Sequence, residues 1–403
     1  MENLLKNLKI SKRVAALPSQ KRNELIAKIA DEIWSNADKI IAANEIDLAE
    51  NSNLSSAMKD RLRLDLPRIK ALAQSVRNVA ALPEVLGRTM EGWRAKSGVN
   101  IEKISVPIGN ICVIYESRPN VTAEVAALCL KSGNGCALKG GKEARHTNLA
   151  LVGAIHAALG EFAGAVAYLD VPREKVGELI KMRSYLDLIV PRGGAGLVHF
   201  VSENATVPVL AHDKGVCHVF VDKDADLDKA LAICINAKCS RPSACNAAET
   251  FLIHEGVANA FLPRLADELA KFETEIFGCE KTAALIPCKV ASRENYASEY
   301  LDFKVNIRVV SDLEEALAHI AEFGSGHSEA VVSENYSVCE EFLRSVDAAC
   351  AYANASTRFS DGGEFGFGAE IGISTNKLHA RGPVGLRELT TYKYIVRGSG
   401  EIR

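Results

Sequence analysis

Apolar positions recur along this chain at two spacings. Up to about residue 85 the spacing is helical. Between Ser19 and Asn36 the apolar residues are Leu25, Ile26, Ile29, Ile33 and Trp34, with charged residues on the opposite face. Ser19 is the expected N-cap. Ala37 to Leu48 and Pro67 to Val79 continue the pattern, and the simplest reading is a helical face packed on a sheet. Near residue 98 the rhythm changes. Val99, Ile101, Ile104 and Val106 alternate as in a strand, and Ile108 to Tyr115 is a short apolar run suited to the middle of a sheet. A helix over Thr122 to Ser132 is expected to end at Gly133-Asn134-Gly135 in a left-handed cap. The strand Cys136 to Lys139 follows, then a helix over Thr147 to Leu159, a strand at Leu186 to Val190, a helix starting at Leu197 and a strand at Val216 to Val221.

Alternation at crossover lengths predicts a parallel, doubly wound α/β sheet. The cycle repeats in strands at Thr250 to Ile253, Asn306 to Val310 and Glu329 to Val332, with helices over Val257 to Leu269 and Leu313 to Phe323. This predicts a second α/β domain. Thr390 to Arg397 alternates weakly. Such a terminal strand needs a partner, either another subunit or the 98–106 strand.

Length agrees with more than one core, since 403 residues exceed what one hydrophobic core usually organises. A formal net charge of −3 gives no electrostatic reason to expect nucleic acid. No uncharged apolar run reaches the ~18 residues of a membrane span. Met1 to Lys6 is charged and lacks the apolar stretch of a signal peptide. The 11 cysteines are odd in number and contain no Cys-x-x-Cys pair, so reduced thiols in a cytoplasmic protein are expected and a zinc site is not.

Four segments carry candidate chemistry. In Asn236 to Asn246, Pro242 ends a helix and leaves Cys245 in a polar loop before a strand. A reactive thiol is expected there, whereas Cys112, Cys129, Cys217 and Cys234 lie in apolar elements and read as small buried hydrophobes. Tyr115 to Thr122 joins a strand to a helix, where open α/β sheets bind ligands. Asn120 offers an amide and Arg118 a fork for carboxylate or phosphate. A helix start capped by Asn120 or Thr122, with Arg118 in solvent, is an equal alternative. Leu138-Lys139-Gly140-Gly141-Lys142-Glu143 sets two ammonium groups around glycines that let a ligand approach. A bare turn explains it as well. Pro191-Arg192-Gly193-Gly194-Ala195-Gly196-Leu197 opens a helix whose N–H groups favour anions, although it is neither a G-x-G-x-x-G nor a P-loop pattern.

In order along the chain, these segments resemble one family. Val113 to Thr122, Leu138 to Glu143, Pro191 to Gly196 and Arg241 to Asn246 are joined by Asn354 to Phe359, Phe365 to Glu370 and Lys377 to Pro383. Over nearly its whole length the chain resembles the γ-glutamyl phosphate reductases, a branch of the aldehyde dehydrogenase superfamily. The resemblance implies two doubly wound α/β domains with a small β oligomerisation element. Its expected ranges are 1–91 and 108–240 for the cofactor domain, 241–387 for the catalytic domain, and 92–107 with 388–403 for the oligomerisation element. The implied reaction reduces L-glutamyl 5-phosphate with NADPH to glutamate 5-semialdehyde and phosphate, the second step from glutamate to proline. Cys245 matches the nucleophile that forms a thioester, and Asn120 the oxyanion donor alongside the Cys245 N–H. Lys139, Lys142, Arg192, Gly193, Gly194, Gly196 and Glu299 match cofactor positions. Arg118, Ser243, Ser356, Thr357 and Arg358 have chemistry suited to the substrate.

Two departures from the wider superfamily bear on chemistry. Hydrolytic members use a glutamate in Glu-Leu-Gly-Gly to activate water. The corresponding stretch here, Val209 to Gly215, has none, and His212 or Asp213 as a base competes with a solvated loop pair. NAD-preferring members place a glutamate on the adenosine ribose where Lys142 stands, so a 2′-phosphate is expected. The resemblance also implies a homo-oligomer, no metal, no nucleic acid or membrane partner, and a functional link to a separate glutamate kinase. The rivals are a hydrolytic aldehyde dehydrogenase and a non-catalytic nucleotide-binding relative.

Overall fold

A computed structural model describes all of the chain except His212, Asp213 and Arg403, and the side chains of Ser56, Ala57 and Ala195. Two compact units emerge. The first comprises Met1–Ala211, Gly366–Gly372 and Val384–Arg403; the second comprises His212–Phe365 and Ile373–Pro383.

In the first unit a parallel four-stranded sheet runs in the order Val166–Tyr168, Gly135–Lys139, Asn110–Tyr115, Leu188–Arg192. The strands are buried on both faces, which explains their unbroken apolar runs. The chain moves outward from Asn110–Tyr115 through two strands and then returns to its other side. This places a topological switch point between Tyr115 and Arg192, where α/β sheets bind ligands. The helix Asn120–Lys131 ends as expected: Gly133 has φ +73, and the N–H of Asn134 bonds back to Cys129 O at 2.7 Å.

The N-terminal helices are confirmed with two corrections. Ser19–Ser35 has Pro18, not Ser19, at its N-cap. The Ser19 hydroxyl instead faces the Glu84 carboxyl, which burial pushes up and Ser19 helps hold below its usual value. Ser19–Ser35 also packs on the helices Leu66–Ala81, Asn120–Lys131 and Arg145–Leu159 rather than directly on a sheet, which leaves Trp34 exposed. Among the described residues one helical stretch, Lys142–Ala165, has the length and hydropathy of a membrane span. Its Leu151, Ile155 and Leu159 are buried, and it packs on Ser19–Ser35 and Ala37–Glu50.

The terminal strand does find a partner within the chain. Thr390–Arg397 pairs antiparallel with Asn100–Pro107, which also pairs with Thr89–Arg94, giving a three-stranded sheet. Its outward residues Met90, Trp93, Tyr392, Tyr394 and Val396 are exposed.

The second unit holds a parallel seven-stranded sheet. Its central strands are Lys304–Val310, Ala248–His254, Cys217–Val221 and Ser328–Val332, with the short Glu275–Gly278 and Lys289–Val290 on one side and Cys350–Ala353 on the other. Apolar clusters cover both faces. The boundary expected at 240/241 therefore lies at 211/212. Cys217–Val221 is hydrogen-bonded between Ala248–His254 and Ser328–Val332, so it and the helix Leu227–Cys239 belong to this unit. Residues 366–372 and 384–387, expected in the catalytic domain, belong to the first unit.

Candidate active site

In the second unit the reactive-thiol loop is built by punctuation on both sides. Helix Leu227–Cys239 stops at Ser240, two turns follow through the Ala244 N–H to Arg241 O and the Ala247 N–H to Ala244 O, and Ala248–His254 begins. Cys245 is half-buried between those turns. Its backbone is held closely. The Cys217 thiol donates to Cys245 O at 3.4 Å, and a Cβ placed on Gly215 would come within 2.6 Å of the Cys245 carbonyl carbon. The next residue is cross-linked to the turn Ser356–Phe359. The Asn246 amide donates to Arg358 O at 3.2 Å and Ser360 O at 2.9 Å, while the Thr357 hydroxyl donates to Asn246 O at 2.7 Å.

Charge gathers around the same loop. Arg358 Nε donates to Ser240 Oγ at 3.3 Å. Burial holds its guanidinium below the usual value and the neighbouring Arg241 adds to that push, while Cys245 pulls the other way. Cys245, Arg241 and Arg358 thus share one electrostatic neighbourhood. Two guanidinium groups stabilise a thiolate and attract an anionic substrate. Of the expected substrate residues, Arg358 is half-buried and feels the charge of Cys245, and Ser243 is exposed on the same loop as the thiol. Ser356 and Thr357 are buried, and their oxygens brace the turn: Ser356 Oγ accepts the Arg358 N–H at 3.3 Å.

Glu299 lies by a different group in this unit. Lys238 and Glu249 form a fully buried ion pair at 2.6 Å. Burial pushes the Glu249 carboxyl up to about 7 against the pull of Lys238, and the charge of Glu299 adds to the rise.

In the first unit the other expected segments meet at the C-terminal ends of three adjacent strands. Glu116 follows Asn110–Tyr115, and its carboxylate accepts the Gly194 N–H at 2.8 Å. A Cβ on Gly193 would stand 2.5 Å from that carboxylate oxygen, so a side chain there would push Glu116 aside. Ser117 is buried at φ +38, in left-handed backbone. Its N–H and hydroxyl both donate to Glu143 Oε1, at 2.9 and 2.7 Å, tying the 115–122 loop to Lys139–Glu143. Lys139 is buried, its ammonium on Gly140 O at 2.7 Å and depressed by burial; Lys142 is exposed. Arg192 is half-buried and its guanidinium lies over Gly372, while Gly196 has open space around it.

Asn120 does not cap its helix, and neither does Thr122. The N-cap is Pro119, and the Thr122 hydroxyl is buried between Tyr115 Oη at 2.6 Å and Asn148 Oδ1 at 2.8 Å. The half-buried Asn120 amide donates to Glu124 Oε2 at 2.9 Å. Burial raises the Glu124 carboxyl above its usual value, and the bonds from Asn120 and Ser75, then Arg192 and the exposed Arg118, pull against that rise.

The Gly194 N–H can hold an anionic oxygen, here that of Glu116, so a phosphate bound at this helix start would have to displace that carboxylate. Sequence reasoning gave no role to Gly215, Asn246, Arg241, Glu124 or Glu143. Only Glu124, four residues after Asn120 on a helix, carried a signal in its spacing. His212 and Asp213 lie outside the described residues.

Comparison with known proteins fits this geometry. Residues 6–283 match the model of the aldehyde dehydrogenase family. The chain is 52% identical over 411 residues to a γ-glutamyl phosphate reductase of a Nitratiruptor species, covering 100% of both chains, and 50% identical over 410 residues to that of Nautilia profundicola, again covering 100% of both. The crystal structure of the γ-glutamyl phosphate reductase from Thermotoga maritima superposes with a TM-score of 0.96 at 45% identity, covering 99% of each chain.

Proposed function

Because this chain belongs to the aldehyde dehydrogenase family, in its γ-glutamyl phosphate reductase branch, we propose that it reduces L-glutamyl 5-phosphate through a thioester on Cys245, with NADPH as reductant. The supporting observation is the Cys245 loop, clamped through its backbone and flanked by Arg241 and Arg358. The thiolate attacks the γ-carbonyl carbon, the C–O bond to phosphate breaks, and the guanidinium groups balance the departing charge. When bound, NADPH supplies the hydride that takes the thioester to the aldehyde level. The resulting thiohemiacetal collapses, its C–S bond breaks, and Cys245 is regenerated as the semialdehyde leaves.

Asn120 and the Cys245 N–H donate to the oxyanion formed in each tetrahedral species; one such donor is worth about 3–4 kcal/mol. Gly193, Gly194, Gly196 and Arg192 would hold the cofactor diphosphate, and Glu299 a ribose. Lys139 and the exposed Lys142 favour a 2′-phosphate, which selects NADPH over NADH. Arg118, Ser243 and Arg358 bind the glutamyl phosphate. Ser356 and Thr357 support that role by setting the turn that carries Arg358. The three-stranded sheet, with its exposed aromatic residues, is read as the oligomerisation element of a homo-oligomer. The acyl phosphate comes from a separate kinase, and the reduced thiols fit a cytoplasmic enzyme.

The decisive assay is NADPH oxidation with freshly generated glutamyl phosphate. Cys245→Ser is expected to abolish turnover while the fold, read by circular dichroism, survives. Turnover of Cys245→Ser within tenfold of the unmodified chain refutes the thioester. In reverse, with semialdehyde and NADP+, activity should require phosphate or arsenate; activity without either favours a hydrolytic dehydrogenase.

A further inference from the structure

The helix Asn120–Lys131 is almost entirely interior. From Val121 to Lys131 every residue is buried save one. That exception is Glu124, and the only other residue of the helix that is not buried is Asn120, one turn earlier on the same face. An acidic side chain in such a setting needs partners, and Glu124 has one for each oxygen. Oε2 accepts from Asn120 Nδ2 at 2.9 Å, and Oε1 accepts from the Ser75 hydroxyl of helix Leu66–Ala81 at 3.2 Å. Arg118 and Arg192 supply the countercharge.

We propose that Glu124 is a positioning residue for the reaction, fixing the Asn120 carboxamide so that its second N–H points to the oxyanion. The proposal rests on the assignment of Asn120 above. A carboxamide presents an oxygen and an NH₂ of nearly equal size, and rotation by half a turn exchanges them. With the oxygen facing the substrate, the same group would repel a developing oxyanion. An ionised carboxylate only accepts, so it selects the NH₂ side. Asn120 has two N–H groups; Glu124 takes one and leaves the other. Ser75 in turn fixes Glu124 from a neighbouring helix, so the donor is oriented before substrate arrives, as electrostatic preorganisation requires.

The experiment compares Glu124→Gln, Glu124→Leu, Asn120→Ala and the double variant Asn120→Ala/Glu124→Leu. It measures kcat, KM for glutamyl phosphate, the Kd for NADPH by fluorescence, and Tm. Asn120→Ala should lower kcat about 10²–10³-fold. Glu124→Leu should lower kcat at least tenfold, with KM and Kd within twofold and Tm equal or higher, since an apolar side chain suits this helix. Glu124→Gln retains an acceptor oxygen and should recover most of the loss. The double variant should be no slower than Asn120→Ala alone, because both act through one donor. A packing role would move Tm and kcat down together and favour neither Gln nor Leu in this way.

The proposal is overturned if Asn120→Ala is slow but Glu124→Leu and Glu124→Gln both turn over within twofold of the unmodified chain. It is equally overturned if the losses add in the double variant, or if KM rises with kcat intact, which would make Glu124 a substrate ligand. If Glu124→Leu does not fold, Ser75→Ala replaces it. A several-fold fall in kcat at constant KM is then expected, and no fall overturns the proposal. Should Asn120→Ala itself be fully active, the oxyanion assignment fails and this inference fails with it.

Discussion

Substitution of Gly215 by alanine tests how closely the chemistry depends on the backbone of Cys245. A Cβ at Gly215 would stand 2.6 Å from the Cys245 carbonyl carbon and 2.8 Å from its Cα. The Cys245 carbonyl oxygen lies closer still to that Cβ, and ordinary contacts begin near ~3.2–3.5 Å, so the loop must retreat by more than ~1 Å. The atoms in the way are backbone, which no rotamer change can relieve. The same peptide accepts the Cys217 thiol, and Asn246 is pinned by three hydrogen bonds to residues 357–360, so the strain is passed to Sγ rather than dissipated. A misplacement of ~1 Å at a reacting atom can cost about 10²-fold in rate. Overpacking of one methyl costs about 1–3 kcal/mol of stability. Gly215→Ala should therefore fold, with Tm lowered by a few degrees, and lose roughly two orders of magnitude in kcat in the NADPH oxidation assay. Gly153 is the control. It lies in the helix Arg145–Leu159 with nothing within 4 Å of an added methyl, so Gly153→Ala should leave kcat unchanged. If Gly215→Ala turns over within threefold of the unmodified chain, the backbone clamp does not set the reactivity of Cys245.

Two further outcomes follow from charge. Lys142→Glu places a carboxylate where an exposed ammonium now stands, and should lower the ratio of kcat/KM for NADPH to that for NADH by tenfold or more; an unchanged ratio removes Lys142 from cofactor selection. His319 is buried against His218, Tyr296 and Phe323, with Arg308 donating to its Nδ1 at 3.1 Å, and burial, helped by His218 and Arg308, pushes its pKa down to about 2. The unfolded chain takes up this proton below about pH 6.5 and the folded chain does not, so stability is complete above 6.5 and falls by roughly 1.4 kcal/mol per unit as pH drops below it. His319→Gln keeps an acceptor for Arg308 and should flatten the decline of Tm between pH 6.5 and 5; an identical slope in both proteins excludes His319 as its source.

The parts of the fold that could be read from sequence are those whose burial is repeated locally. Asn110–Tyr115 and Cys217–Val221 are covered on both faces and show as apolar runs. Glu275–Gly278 and Lys289–Val290 lie on the sheet's outer side and are half-buried or exposed for most of their length, so they carry no such run. The boundary at 211/212 was not visible because the strand that decides it, Cys217–Val221, looks the same in either sheet; only its partners assign it. At the site, Pro242 and the polar residues around it made the Cys245 loop visible. The requirement for Gly215 was not, since a strand and a helix separate it in the chain from the peptide it touches. Glu116 stood in a recognised segment, but its bond to Gly194 depends on two strands being adjacent.

The electrostatics of the Cys245 loop also explain why a phosphorylated acyl group, rather than a free carboxylate, suits this site. Burial raises the energy of the charged Arg358 guanidinium, and Arg241 adds to it. A monoanion relieves this only in part. A phosphoryl group carries nearly two negative charges and three acceptor oxygens, enough to engage both guanidinium groups at once. The charge on the leaving oxygen is larger at the transition state for its departure than in the bound acyl phosphate, so the interaction lowers the barrier rather than merely tightening binding. Replacing Arg358 by methionine, which keeps the packing but not the charge, should therefore reduce kcat more than it raises KM. A rise in KM at constant kcat would show instead that Arg358 binds substrate and transition state alike.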